Sequence, residues 1–267
     1  MKRNISNNGK YLTLLALAAV IMFWSAPGAF AQNGTPSSKA TAAINTAVGC
    51  TVSSTTNIGD TLPMTCHDVF GGTSVPVTAD NFVPVMNATV KVSNSESLFV
   101  SPSMVTGLYT NTKTKTNTGS TSTATAMGGV YERAVLQDQN GNWVATAFPV
   151  ADCTSSILGC QSIGSGYGVT IDSRVQTLSQ SLSDCVVTGG GSCSFTSTIG
   201  LILQTTSAHT FNFIFPNVGV GTYNVQIQMA VNSDAQVSGS GTAIGAAAFG
   251  LGSVTVQVVR LVNDFSF

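Results

Sequence analysis

Charge is what this sequence has least of. Only 8% of its 267 residues are Asp, Glu, Lys or Arg, with ten basic and eleven acidic. The lysines and arginines form no patch, which argues against nucleic acid as a partner and against electrostatic attachment to a membrane surface. Histidine is nearly absent, with His67 and His209 the only two. No H-E-x-x-H, C-x-x-C, G-x-x-x-x-G-K-[ST], Rossmann fingerprint or G-x-S-x-G elbow occurs, so the common metalloprotease, redox, phosphate-cradling, dinucleotide and serine-hydrolase signatures are all missing. No metal site or cofactor is expected, and no residue set is assigned to catalysis.

Long apolar runs are missing too, except at the start. Lys2, Arg3 and Lys10 precede the apolar stretch Leu12–Trp24, and Ala29-Phe30-Ala31 follows. This is the order of an export signal with an A-x-A cleavage site. The stretch is short for a membrane span of about 20 residues. Residues 1–31 are therefore expected to be a signal peptide, leaving a mature chain with no transmembrane segment, in the periplasm, at the cell surface or outside the cell. Cleavage would leave seven basic residues against eleven acidic ones, a net charge of −4.

All six cysteines lie beyond that leader. An even number in an exported chain points to disulfides rather than thiol chemistry. Proximity suggests the pairs Cys50–Cys66, Cys153–Cys160 and Cys185–Cys193, each closing a short loop, although sequence alone leaves the connectivity open.

What the chain has in abundance is alternation. In Thr210–Val231, Phe211, Phe213 and Phe215 fall on one side of an extended backbone. Tyr223, Val225, Ile227, Met229 and Val231 do the same beyond Pro216–Gly221. A period of two marks half-buried strands, and the Pro/Gly segment predicts a hairpin turn. Over these residues the pattern of Phe, Pro, Gly and Tyr resembles the penultimate hairpin of jelly-roll domains of the complement-collagen and tumour-necrosis-factor type, loosely and short of a family match. The resemblance implies a jelly-roll sandwich and self-association through a sheet face.

Further strands are predicted at Phe82–Val92, Val130–Leu136, Trp143–Phe148, Gly168–Val175 and Val254–Val262. Residues 175–182 are open between strand and helix. Asn232–Gly252, rich in Gly, Ser and Ala, is predicted to be a long loop or a poorly covered strand. Thr110–Thr118 puts threonine at every second position with Asn and Lys between, Gly119-Ser120 breaks the run, and Thr121, Thr123 and Thr125 resume it. With neither face apolar, an exposed edge hairpin guarded by Lys113 and Lys115 is favoured over a solvated linker.

The expected fold is all-β: an antiparallel β-sandwich, jelly-roll-like, formed by residues 50–267 behind a mobile tail at 32–49. Three weak sites are noted. Asp138, Asn140 and Asn142 repeat the first half of a calcium loop, but no distal acid follows until Asp152, and Asn140-Gly141 is also a strong hairpin turn. Trp143, Tyr131 and Tyr167 are aromatics that a sheet face could offer to a glycan. Ser207 and His209 would share one face of a strand. Three functions follow in order: a non-catalytic structural or adhesion protein, with self-association or a surface glycan as partner; a carbohydrate-binding module; and a hydrolase using two of Glu132, Asp138, Asp152 and Asp172 across a cleft.

Overall fold

The structure is a computed structural model, and it describes residues 40–60, 64–71, 75–164, 166–184, 186–187 and 191–260. All of these belong to one compact unit, Ser37–Phe267. The expected signal peptide at 1–31, the first part of the expected tail, Cys185 and the last seven residues lie outside the described residues.

The strands in chain order are β1 (Ala40–Asn45), β2 (Gly49–Thr56), β3 (Val75–Pro76), β4 (Val83–Val92), β5 (Glu96–Asn117), β6 (Thr121–Gln137), β7 (Trp143–Thr146), β8 (Cys160–Ile163), β9 (Gly166–Ser181), β10 (Val186–Val187), β11 (Gly191–Ser192), β12 (Thr196–Thr210), β13 (Phe213–Val218), β14 (Gly221–Ser238) and β15 (Ser240–Val259). A short helix, α1, spans Cys66–Phe70, and a 3-10 turn spans Val150–Asp152.

Two sheets face each other. The first runs β12-β5-β15-β2-β3, with β1 also on β15 and β13 also on β5. The second runs β4-β14-β6-β9-β8, with β7 also on β6. The antiparallel pairs β2/β15, β4/β14, β5/β12 and β6/β9 nest like successive rungs of one long ribbon whose closed end is the β6–β9 connection. Successive rungs fall in alternate sheets. An antiparallel ribbon rolled in this way is a jelly-roll sandwich.

The interior is graded along the strands. At one end Leu98, Val100, Met104, Phe213, Phe215, Ile227 and Met229 form a large apolar core. Towards the other end the inward side chains become small or hydroxylated. Thr110, Thr112, Thr114 and Thr116 of β5 are fully buried, and they lie beside Gly245, Ala243 and Gly241 of β15. Side chains added at Gly128 or Gly245 would strike the backbone of the opposite sheet, so glycine there permits a close approach of the layers. The buried hydroxyls find partners, as buried polar groups must. Thr110 Oγ1 donates to Gln176 Oε1 (2.7 Å), Gln176 Nε2 donates to Thr112 Oγ1 (2.6 Å) and to the Leu201 carbonyl (2.8 Å), and Thr114 Oγ1 donates to Gln180 Oε1 (3.1 Å).

Four expectations are corrected here. The threonine array is not an exposed edge hairpin or a linker. Its two halves enter different sheets, and β5 lies between β12 and β15, so Thr110, Thr112, Thr114 and Thr116 line the interior while Asn111, Lys113 and Lys115 alternate with them; on β6 Ser122 and Ala124 are buried, and Thr123 and Thr125 face outward beside Ser179 and Thr177 of β9. Thr210–Val231 is not a hairpin either: β13 pairs with β5 in one sheet and β14 with β4 and β6 in the other. Their apolar sides meet across the core instead of lying side by side. Asn232–Gly252 is the end of β14 and the start of β15, and Gly241–Gly250 is buried throughout. Its small residues fit the narrow interior on one side. On the other, Val69 and Phe70 of α1 pack over Tyr109, Ile244 and Ala246. Finally, Ala40–Asn45, within the expected tail, is a strand paired with Gly252–Gln257 of β15.

The disulfide Cys50–Cys66 ties α1 to β2, and Cys153–Cys160 closes the loop before β8. Cys193 is also disulfide-bonded; the expected partner, Cys185, lies outside the described residues. Two disulfides suit an oxidising compartment, and among the described residues no helix is long and apolar enough to cross a membrane.

Candidate functional site

The second sheet's outer face carries a pocket of about 510 Å³ lined by Arg133, Trp143, Thr146, Val150, Ala151, Cys153, Gly166 and Tyr167. Strand alternation builds it. On β6 the even residues Val130, Ala134 and Leu136 point into the core, so Arg133 points outward. The Asp138–Asn142 turn folds β7 back against β6, and this brings Trp143 over Arg133. Strand β9 supplies Tyr167 and Gly166.

Arg133 is held on three sides. Its guanidinium carbon lies 4.0 Å from the centroid of the Phe82 ring and 5.0 Å from that of Trp143. Its Nε donates to Gln228 Oε1 at 2.7 Å. Only 8% of the residue is exposed, and burial lowers its pKa. No carboxylate among the described residues pairs with it.

Of the three aromatics singled out from the sequence, Trp143 and Tyr167 meet in this pocket, and Trp143 is 50% exposed. Tyr131 does not join them. It is 8% exposed and packs with Ile163, Ala230 and Phe82, and burial raises its pKa. Sequence reasoning missed Arg133 and Phe82. The available signal was the Glu132-Arg133 dipeptide, two charges together inside an apolar strand of a chain with few charges.

The Asp138 turn holds its own carboxylate. Oδ1 accepts from the backbone N–H groups of Asn140 and Asn142, both at 2.8 Å, and Oδ2 accepts from Asn142 Nδ2 at 2.9 Å. The Asn142 contacts are the leading cause of its lowered pKa. Gly141 takes a φ of +81° and donates to the Asp138 carbonyl. This is a type I turn closed by a left-handed glycine, and both oxygens of the Asp138 carboxylate are engaged in it. Among the described residues no group of three or more His, Cys, Asp or Glu is placed to hold a metal.

Ser207 and His209 do share a face, and the fold adds Asp172 from β9 and Thr106 from β5. Ser207 Oγ lies 2.9 Å from His209 Nε2, the same Nε2 lies 3.5 Å from Asp172 Oδ2, and Thr106 Oγ1 donates to Asp172 Oδ2 at 2.6 Å. A relay needs the carboxylate on the imidazole nitrogen opposite the one facing serine. Here serine and carboxylate approach one nitrogen, so the cluster ties the two sheets together and does not activate Ser207.

The carboxylates of the hydrolase reading are dispersed in role. Asp138 caps a turn, Asp172 ties the sheets and Asp152 sits exposed on the 3-10 turn. Glu132 is turned into the core beside Met229 and Val169 of neighbouring strands. Its Oε1 has no hydrogen-bond partner, and burial pushes its pKa up to about 8.

No protein-family model matches the chain, and no curated protein matches it. Among solved structures it is similar to a chain of the crystal structure of the T13 particle of infectious bursal disease virus, at 11% identity and a TM-score of 0.26, over 84% of this chain and 36% of that one. Chains from the Gt and Gx strains of the same virus match at 10% identity and a TM-score of 0.26, over 85% and 84% of this chain and 43% of theirs. This chain thus spans less than half the length of those chains, and a likeness that low says nothing of what it does. By its own topology the chain is a disulfide-stapled jelly-roll sandwich.

Proposed function

We propose that this is an exported, non-catalytic structural protein that assembles with further copies of itself, outside the cytoplasm, through the free edge of β12. That edge is the observation that carries the reading. β12 pairs with β5 on one side and stands last in its sheet. Its 15 residues contain no Asp, Glu, Lys or Arg, so it lacks the charges that normally guard an edge. Ile199, Leu201, Ile202 and Leu203 are all more than 40% exposed. Ile199, Leu201 and Leu203 pair with inward-facing Thr114, Thr112 and Thr110, and so extend the sandwich interior into a solvent-facing apolar row. An antiparallel pair of β12 strands centred on Leu201 would match this row against itself and satisfy both backbones.

The test is light scattering over a concentration series. The protein is expected to associate, and Leu201→Lys or Ile202→Lys to give monomers with unchanged circular dichroism. A monomeric parent at its highest soluble concentration would end the proposal.

A second reading, carbohydrate binding, is favoured by one observation: the exposed Trp143 and the half-buried Tyr167 share one pocket with Arg133.

A further inference from the structure

We infer that the Arg133 pocket binds a carboxylate-bearing sugar, with the acid on the guanidinium and the sugar ring against Trp143. The inference rests on the carbohydrate-binding reading and narrows its ligand class.

A buried charge is normally paired. Arg133 is almost wholly buried, and its neighbours are neutral: two aromatic rings and an amide. Ring faces attract the cation, and Gln228 fixes the plane of the guanidinium through Nε. None of these neutralises it. The terminal nitrogens are the arginine's remaining donors, and Gly166, where a side chain would run into Arg133 Nη1, keeps the wall beside them open. A guanidinium presents parallel N–H groups that match the two oxygens of a carboxylate. The missing counter-charge is therefore supplied by the ligand.

The remaining wall selects a sugar. The volume falls within the range of small-molecule sites. Trp143 offers a large flat face at the rim, and the negative potential of an indole face suits the weakly positive C–H edges of a pyranose. Thr146 and Tyr167 add hydroxyls that can bond to ring substituents. A free inorganic anion would use the arginine but leave the indole idle.

Trp143 also supplies the readout. The chain has two tryptophans, so Trp24→Phe in the full chain leaves Trp143 as the only indole. Its emission is followed during titration with trigalacturonate and with sialyllactose, against galactotriose, lactose, the methyl ester of trigalacturonate, and inorganic phosphate. At least one acidic sugar is expected to shift the emission saturably, and to bind at least about tenfold more tightly than its neutral counterpart, as loss of a charge-assisted hydrogen bond implies. Arg133→Lys is expected to weaken binding by about tenfold, because a point charge cannot reproduce the fork.

Equal binding of acid and ester would leave the carbohydrate reading standing and overturn this one. Phosphate displacing the sugar at equal concentration would overturn it in favour of a general anion site. No binding by any sugar would overturn both. If Arg133→Lys melts early, Trp143→Ala at the exposed rim, read by calorimetry, takes its place: unchanged sugar affinity in that variant would also overturn the inference.

Discussion

At the scale of single residues, Glu132 is the most unusual feature of the chain. A carboxyl turned into an apolar core without a partner for Oε1 is held protonated at neutral pH, because its charged form would lose hydration with nothing in return. Its pKa in the folded chain is pushed up to about 8, from an ordinary value of 4.5. Between those values the unfolded chain has released the proton and the folded chain keeps it. Stability from this group is therefore highest below pH 4.5 and falls as pH rises to 8, by about 1 kcal/mol per pH unit. Glu132→Gln is expected to remove that slope and to raise the melting temperature at pH 8 more than at pH 5. Equal shifts at both values would show that Glu132 does not titrate in this way. The residues of the pocket were only half legible in advance. Trp143 and Tyr167 stand out as aromatics in a chain with few of them. Arg133 is a single cation whose importance comes from Phe82 and Gln228, which are distant in sequence and adjacent only through the sheet.

At the scale of elements, α1 is a lid on the outer face of β15. Thr65 and Asp68 cap it reciprocally: Asp68 Oδ2 accepts from Thr65 N at 2.8 Å, and Thr65 Oγ1 accepts from Asp68 N at 3.3 Å. Cys66 fastens it to Cys50. Replacing both cysteines by serine is expected to cost about 3 kcal/mol, given the length of the closed loop, and to increase binding of a hydrophobic dye by uncovering Ile244, Ala246 and Tyr109. A chemical-denaturation midpoint unchanged from the parent would show that the lid holds without its staple. Most strands were legible from their period of two, and so was the β6–β7 turn around Asn140-Gly141. Their partners were not. Alternation states which side of a strand is apolar, but not which sheet receives it, and this is why β13 and β14 were expected side by side. The threonine array was hidden for a related reason. A binary pattern counts threonine as polar, yet Thr110, Thr112 and Thr114 are buried because Gln176 and Gln180 reach across from the other sheet.

At the scale of the whole molecule, the graded interior has a thermodynamic signature. Exposing apolar surface raises heat capacity and exposing polar surface lowers it. One end of this sandwich buries threonine hydroxyls and glutamine amides. Calorimetric unfolding is therefore expected to give a heat-capacity change per residue below the usual ~12–15 cal/mol/K. A value at or above that range would contradict the polar interior.

The nested ribbon has a consequence for how such a chain is made. β15 is the last strand described, and it holds β1, β2 and β5 in their sheet. A chain emerging amino end first, from a ribosome or a translocation pore, can complete the second sheet with β14 but not the first until β15 is out. Among the described strands β1 pairs with β15 alone, so it waits for the other end of the chain, and a segment that waits extended is still thin enough to be threaded.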